Sequence, residues 1–327
     1  TNQPITDIVN IGIGGSDLGP KFCYDALKSF QINPELNFHF ISDADYYSLR
    51  DCLAYLNPET TLFIVSSKSF TTEETMKNAD IVRKWIGHAD AFPYHFIAVT
   101  ACPKIAELLG YKNIVTIPKW VVGRYSSMSA INLINAIALG YENYIEMLKG
   151  AYDMDEHFFH APWQENLPLL LAYVGIWNIN ILEIPTHLLL IYHSKLRFFS
   201  DYVQQLDMES NGKSFDSQGQ KIDYATAPIV WGGLGNAAQH SYYQLLAQGR
   251  YQIAMDFIDV DDANNDCLND ACVKRKLSLY HGTQCDDASF ATQKQNSINH
   301  IKLKMLSPRS IGALIALYEH KIFTQAW

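Results

Sequence analysis

The sequence predicts an α/β fold with two doubly wound parallel-sheet domains and helices on both faces of each sheet. Three observations carry this. Short apolar runs alternate with helical patterns through the first 140 residues, which is the signature of strand–helix–strand units. The alternation resumes at Ala227, after a long stretch of helical character. The length of 327 residues suits two domains at roughly 100–200 residues each. The boundary is placed near residue 140, giving domains 1–140 and 141–327.

Taken in order, Asp7–Ile13 reads as a strand and Leu18–Ser29 as a helix. Phe38–Ser42 is a strand, Asp45–Leu56 a helix, Thr61–Ser66 a strand and Thr72–Gly87 a helix. His95–Thr100 and Asn113–Ile117 complete the first set of strands. Residues 143–208 read as mostly helical. Ala227–Trp231 then reads as a strand, Asn236–Gln248 as a helix and Gln252–Asp259 as a strand. Residues 262–300 are polar and poorly patterned, and Arg309–Trp327 is a strongly apolar helix.

Composition narrows the function. Hydrophobic residues make up 48% of the chain, enough for sizeable cores. The net charge of −9 argues against a nucleic-acid partner. The longest apolar stretch, Leu167–Ile184, is interrupted by Trp177-Asn178-Ile179-Asn180, so no membrane span is expected. The six cysteines, Cys23, Cys52, Cys102, Cys267, Cys272 and Cys285, form no C-x-x-C and have no histidine pair at zinc-like spacing. That pattern argues against a thiolate metal site and for free thiols in a reducing cytoplasm. The chain begins Thr-Asn-Gln-Pro without an initiator methionine, which reads as a processed or shortened form.

Ser66-Ser67-Lys68-Ser69-Phe70-Thr71-Thr72-Glu73-Glu74-Thr75 follows a strand and opens a helix. Six hydroxyls and an ammonium, beside free N–H groups at a helix start, make a phosphate cradle. Thr71-x-x-Glu74 also fits a capping box, which would explain one Thr and one Glu. Gly12-Ile13-Gly14-Gly15-Ser16-Asp17 is either a tight strand–helix turn or a loop that lets a ligand approach the backbone. A dinucleotide fingerprint would need Gly where Asp17 stands. Arg124, beside Gly123, reads by itself as a surface residue, and Glu209, near Asn211-Gly212, as a solvated carboxylate at a helix stop. His240 falls in the first turns of a helix after Gly232-Gly233-Leu234-Gly235, where the dipole favours a neutral imidazole.

Taken together, Ile13–Pro20, Ser67–Thr72, Gly123–Ser126, Gln205–Lys213, Gln239-His240 and Ser310–Phe323 resemble the phosphoglucose isomerase family in order and spacing. The resemblance implies a sugar-isomerase fold and interconversion of glucose 6-phosphate and fructose 6-phosphate in glycolysis and gluconeogenesis, without metal or other cofactor. It implies that Ser67, Lys68, Ser69, Thr72 and Thr75 grip the phosphate and that Gly15 and Ser16 touch the sugar. It implies Glu209 as the base, Arg124 as the cation for the enediolate, and His240 as the ring-opening residue reaching the neighbouring site of a homodimer. Val122 stands where the family has Gly, Asn132 where Gly is usual, and Asn236-Ala237 where Thr-Asn is usual. The family's Gly-Asn-Arg-Pro-Ser segment is replaced by Gln295-Asn296-Ser297-Ile298-Asn299. The resemblance also implies an N-terminal helical arm and a C-terminal segment with a catalytic Lys, neither of which this sequence carries. A second reading is therefore a sugar-phosphate-binding member of the family with impaired turnover.

Overall fold

The computed structural model describes residues 3–282 and 296–327; Cys285 and Gln295 lie outside the described residues. The chain divides into two compact units, Thr1–Ile145 and Glu146–Trp327.

The first unit runs β1 (Asp7–Ile11), α1 (Leu18–Leu27), β2 (Asn37–Ile41), α2 (Tyr46–Leu53), β3 (Thr61–Ser66) and α3 (Glu73–Ile86). It continues with α4 (Phe92–His95), β4 (Phe96–Thr100), α5 (Pro103–Leu108), β5 (Asn113–Thr116) and the start of α6 (Leu133–His160), which is broken at Gly140. The strands form one sheet in the order β2-β1-β3-β4-β5, and every pair is parallel. Alternate residues of each strand point to opposite faces. Val9, Ile11, Phe63, Val65, Phe96 and Ala98 accordingly meet α2, α3, α4 and α5 on one side. Ile8, Phe38, Ile64 and Val99 meet Ile131, Ile134 and Ala138 on the other. The predicted strands lie where these apolar runs placed them, each within a residue or two at its ends.

The second unit contains α7 (Leu167–Ile176), β6 (Thr186–Ile191), α8 (Phe199–Asn211), β7 (Ile229–Leu234), α9 (Gly235–Ala238) and α10 (Tyr243–Gln248). Then come β8 (Ala254–Val260), α11 (Asp266–His281), β9 (Ser297–Leu303) and α12 (Pro308–Ala326). Its sheet is also parallel, in the order β7-β6-β8-β9. Gly232 makes this pairing possible: a Cβ there would lie 2.1 Å from the Leu189 carbonyl oxygen.

Three expectations are corrected here. Residues 143–208 are mostly helical, as expected, but they also contain β6, an interior strand of the second sheet that the sequence did not mark. Its run Thr-His-Leu-Leu-Leu-Ile is buried on both faces and so lacks the alternation that marks a half-exposed strand. The helix expected over Asn236–Gln248 is two short helices. Tyr242 leaves helical geometry between them and packs its ring on Trp231, 4.8 Å between centroids. Residues 262–300 contain α11 and β9. The fully buried residues of α11 are Cys272 and Leu279, too thin a stripe to read as amphipathic.

The apolar stretch from Leu167 is α7 followed by a π-helical turn at Trp177–Ile181. No helix among the described residues is long and apolar enough to cross a membrane. Cys23, Cys52, Cys102, Cys267 and Cys272 are free thiols.

Candidate active site

In the first sheet the strand order reverses direction between β1 and β3, and ligands of such sheets bind at the carboxyl ends of the strands beside that point. The register pairs Ile11 with Val65, so the loop after β1 and the turn after β3 leave the sheet side by side. Asn10 ties them together. Ser66 Oγ donates to Asn10 Oδ1 at 3.0 Å, and Asn10 Nδ2 donates to the Ser16 carbonyl at 3.0 Å. The turn is anchored to β4 as well: Ser67 N–H donates to the Val99 carbonyl, and Thr100 Oγ1 and the Ala101 N–H both donate to the Lys68 carbonyl, each at 3.0 Å. Phe70 sits in the left-handed region at φ 55, an uncommon conformation that costs a non-glycine residue roughly 1–2 kcal/mol. Its buried ring packs edge-on against Tyr111 at 5.0 Å, and its N–H donates to Ser67 Oγ at 3.1 Å. Those contacts hold the turn open above α3.

The expected capping box does not form. Thr72 is the N-cap of α3, and its side chain makes no capping bond. Thr72 Oγ1 lies 3.1 Å from Ser67 Oγ, and Thr71 Oγ1 donates to Ser69 Oγ at 2.9 Å. The hydroxyls thus face one another across the mouth of the turn. Thr75 Oγ1 is buried without a hydrogen-bond partner among the described residues. A buried hydroxyl left unsatisfied is costly, and this one lines a cleft of about 590 Å³.

Gly15, Ser16, Ser67, Lys68, Ser69, Thr72 and Thr75 all line that cleft. The loop Gly12–Gly19 reaches it because Gly15 packs directly on the turn at Gly123–Tyr125. A Cβ on Gly15 would lie 2.1 Å from the Gly123 carbonyl oxygen and 2.7 Å from Arg124 N. Ser126 Oγ donates to both the Gly123 carbonyl (2.6 Å) and the Gly15 carbonyl (3.3 Å), which locks the two turns together. Arg124 is therefore carried at the rim of the predicted sugar loop, half-buried, with its guanidinium 5.7 Å from the Tyr125 ring centre. Val122 adopts extended geometry at φ −84, so a side chain there costs no backbone strain. Asn132 is fully buried; its Nδ2 donates to the Ser127 carbonyl at 2.9 Å, and its Oδ1 accepts from Asn135 Nδ2 at 2.6 Å. Beside the loop, burial pushes the Asp17 carboxyl up to about 6, with Lys21 and Ser42 pulling the other way.

In the second unit Glu209 is exposed in the last turn of α8, and Lys213 Nζ donates to its backbone carbonyl at 2.7 Å. Gly212 ends α8 at φ −70, without the left-handed cap that Asn-Gly suggested. His240 is exposed in the turn between α9 and α10, not in the first turns of one long helix, so the expected dipole argument does not apply to it. In a parallel β–α–β crossover the helix runs back against the strands. Glu209, at the end of α8, thus lies toward the amino edge of the second sheet, and His240, just after β7, at its carboxyl edge. About 20 Å of strand separates those edges.

Comparison with known proteins identifies the family of the chain. A family model described as phosphoglucose isomerase matches residues 1–281. The chain belongs to the phosphoglucose isomerase family. A glucose-6-phosphate isomerase from Legionella pneumophila (strain Paris) is 52% identical over 324 residues, 99% of this chain and 65% of that protein. The crystal structure of a glucose-6-phosphate isomerase from Chlamydia trachomatis superimposes with a TM-score of 0.93 at 33% identity, covering 98% of this chain and 65% of that one. The chain thus spans about 65% of the length of these relatives. A glucosamine-6-phosphate deaminase from Thermotoga maritima, 12% identical with a TM-score of 0.58 over 98% of this chain and 85% of that one, shares the fold.

As a phosphoglucose isomerase family member, the chain has cleft residues that sequence motifs did not single out. Lys119 and Cys102 also line the cleft, and Asn10 braces it. Each lies at or just beyond the carboxyl end of a strand, β5, β4 and β1 respectively. Position relative to the strand ends is the signal that could have found them.

Proposed function

We propose that this chain interconverts glucose 6-phosphate and fructose 6-phosphate by ring opening and proton transfer through an enediolate. The observation that carries it is the unpartnered Thr75 hydroxyl inside a hydroxyl-lined cleft, beside Lys68, at the switch point of a phosphoglucose isomerase family fold. Ser67, Ser69, Thr72 and Thr75, with the first N–H groups of α3, supply neutral donors to a phosphate, and Lys68 supplies a positive charge. Gly15 and Ser16 face the sugar. The open sugar then needs a base at C2 and a cation for the oxygen that takes up charge. Glu209 removes the C2 proton, the electron pair of the C–H bond forms the C1–C2 double bond of the enediolate, and Arg124 stabilises the negative charge that develops on O1. The O2 hydroxyl proton passes to O1, the electrons of the double bond take the proton from Glu209 at C1, and C2 becomes the carbonyl carbon, so carbon-bound and oxygen-bound protons both balance.

His240 assists ring opening, and the placement of Glu209 and His240 at opposite edges of one sheet supports its serving the neighbouring subunit of a homodimer. The extended backbone at Val122 removes one motive for the impaired-turnover reading.

The test uses Glu209→Gln. Deuterium exchange at C1 of fructose 6-phosphate should fall by about 10²–10⁴-fold, while calorimetric affinity for 6-phosphogluconate stays at the parent level. Exchange at the parent rate would remove Glu209 as the base. A parent protein that neither binds the phosphosugar nor exchanges its proton would overturn the function itself.

A further inference from the structure

Far from the cleft in sequence, a group of side chains in the second unit is left unexplained by isomerase chemistry. The register of β8 and β9 pairs Phe257 with His300. Asp259 lies two residues beyond Phe257, so Asp259 and His300 point to the same face of the sheet. That face is covered by α11, whose Cys272 packs among Phe257 and its neighbours. One ligand-type atom from each of Asp259, Cys272 and His300 lies within 4.8 Å of the others. Asp259 is 1% and Cys272 0% exposed.

Two readings compete with a metal site, and the geometry disfavours both. A catalytic Cys–His–Asp relay needs the thiol and the carboxylate on opposite ring nitrogens. Here both converge on the same one: His300 Nε2 donates to Asp259 Oδ1 at 3.1 Å and lies 3.9 Å from Cys272 Sγ. A merely structural histidine would satisfy its partners, yet Asp259 Oδ2 is buried with no hydrogen-bond partner among the described residues. That oxygen stands beside a thiol and an imidazole as a further ligand-type atom.

We propose that Asp259, Cys272 and His300 form a binding site for a zinc-class divalent cation. Sulfur, nitrogen and carboxylate oxygen are the donor set that zinc accepts, and three protein ligands leave a fourth position for solvent. In tetrahedral zinc coordination the N–O and S–N edges would be about 3.3 and 3.5 Å, from ordinary bond lengths. The observed 3.1 and 3.9 Å lie close to these. Thiolate and carboxylate together balance the charge of the ion. Lys276 opposes binding. Its Nζ donates to His300 Nδ1 at 2.8 Å. With the ion on Nε2, Nδ1 carries the proton, so that contact must open. Lys302, which pairs with Asp261 at 3.2 Å, adds a second nearby positive charge. Both keep the affinity modest.

The experiment strips the full chain with a chelator, dialyses it against zinc chloride, and counts bound zinc by mass spectrometry; cobalt chloride is then substituted and its spectrum recorded. The expected results are a single equivalent of zinc and a thiolate-to-cobalt charge-transfer band. Cys272→Ser should abolish the band, and His300→Ala should weaken zinc affinity by at least the ~10–100-fold that loss of an outer partner already costs. Cys267→Ser, altering an exposed thiol on the same helix, should change nothing. Lys276→Met, which cannot lower affinity by unfolding and still fit the proposal, should bind zinc more tightly. No retained zinc in the parent, an unchanged band in Cys272→Ser, or weaker binding in Lys276→Met would overturn the site.

Discussion

The two sheets share a parallel order around a switch point, and they use their buried polar groups in opposite ways. In the first unit the polar residues at the strand ends are mostly neutral: Asn10, Ser66, Ser67, Thr75 and Thr100 are all buried amides or hydroxyls. They brace turns, and among the described residues the Thr75 hydroxyl is left over. In the second unit carboxylates enter the core. Asp256 is fully buried and accepts from Tyr318 OH (2.7 Å), Asn299 Nδ2 (2.8 Å) and His187 Nε2 (2.9 Å). Asp207 faces Lys321 at 3.4 Å, both buried. Neutral donors can wait unpaired for an anionic ligand at modest cost, whereas a buried charge must be matched within the protein. The contrast separates a unit whose neutral polar groups line an open cleft from one arranged largely around its own charges.

The largest expected effect tests the second half of this contrast. Asp256→Ala leaves His187 and the Tyr318 hydroxyl without their buried carboxylate and should cost about 3–5 kcal/mol in urea unfolding. A loss under about 1 kcal/mol would mean that the buried charges are incidental. The pH dependence has a defined sign. Burial alone would raise the Asp256 carboxyl, but the ion pair with His187, helped by Lys321 and Tyr318, holds it well below the usual carboxylate range. A depressed acid stabilises the fold above its unfolded pKa of about 3.9. That contribution is kept at neutral pH and lost as the pH falls below about 4.

Next comes Gly15→Ala. Its Cβ would meet the Gly123 backbone, which cannot swing aside as a side chain can. The two turns must part, at a cost of about 1–3 kcal/mol, and phosphosugar affinity should fall with stability. Thr75→Val sharpens the comparison because it separates the two readouts. Affinity for 6-phosphogluconate should drop by about 1.5–3 kcal/mol, the worth of a hydrogen bond to a charged group. Thermal stability should hold or rise, since an unsatisfied hydroxyl is removed. A fall in stability with no change in affinity would show that the hydroxyl serves the fold.

A further test concerns Glu319 on α12. Burial pushes its carboxyl up to about 8; the Tyr202 hydroxyl, donating at 3.0 Å, works against this, and Asp155 adds to it. A raised acid binds its proton more tightly in the folded state. Its stabilisation is complete below about pH 4.3 and is lost as the pH rises toward 8. Glu319→Gln should flatten the stability profile across that window, as measured by thermal unfolding at a series of pH values.

Much of the first unit was legible in the sequence because its strands are short runs of Ile, Val and Phe bounded by glycines and hydroxyls, and local chemistry suffices to mark them. The hydroxyl-rich turn was legible for the same reason: its residues are neighbours in the chain. β6, α11 and β9 were not, since one is apolar on both faces and another buries little more than Cys272 and Leu279. The broken helix at Tyr242 needed Trp231, a residue on another element, to explain it.

The cysteine pattern shows the limit most clearly. Spacing argued against a thiolate metal site, and spacing is the right guide only when ligands lie along one short segment. Cys272 is 28 residues from His300, and Asp259 is 41 from it. What brings them within reach is the parallel register of β8 on β9 and the docking of α11 on that face. The sequence by itself determined the strand–helix alternation, the glycine and hydroxyl loops and the family motifs, because periodicity and turn chemistry are properties of adjacent residues. The tertiary structure alone decided which distant side chains share a face, which carboxylates are buried and which hydroxyl is left unpaired, because burial and register are set by the packing of elements that the chain order keeps apart.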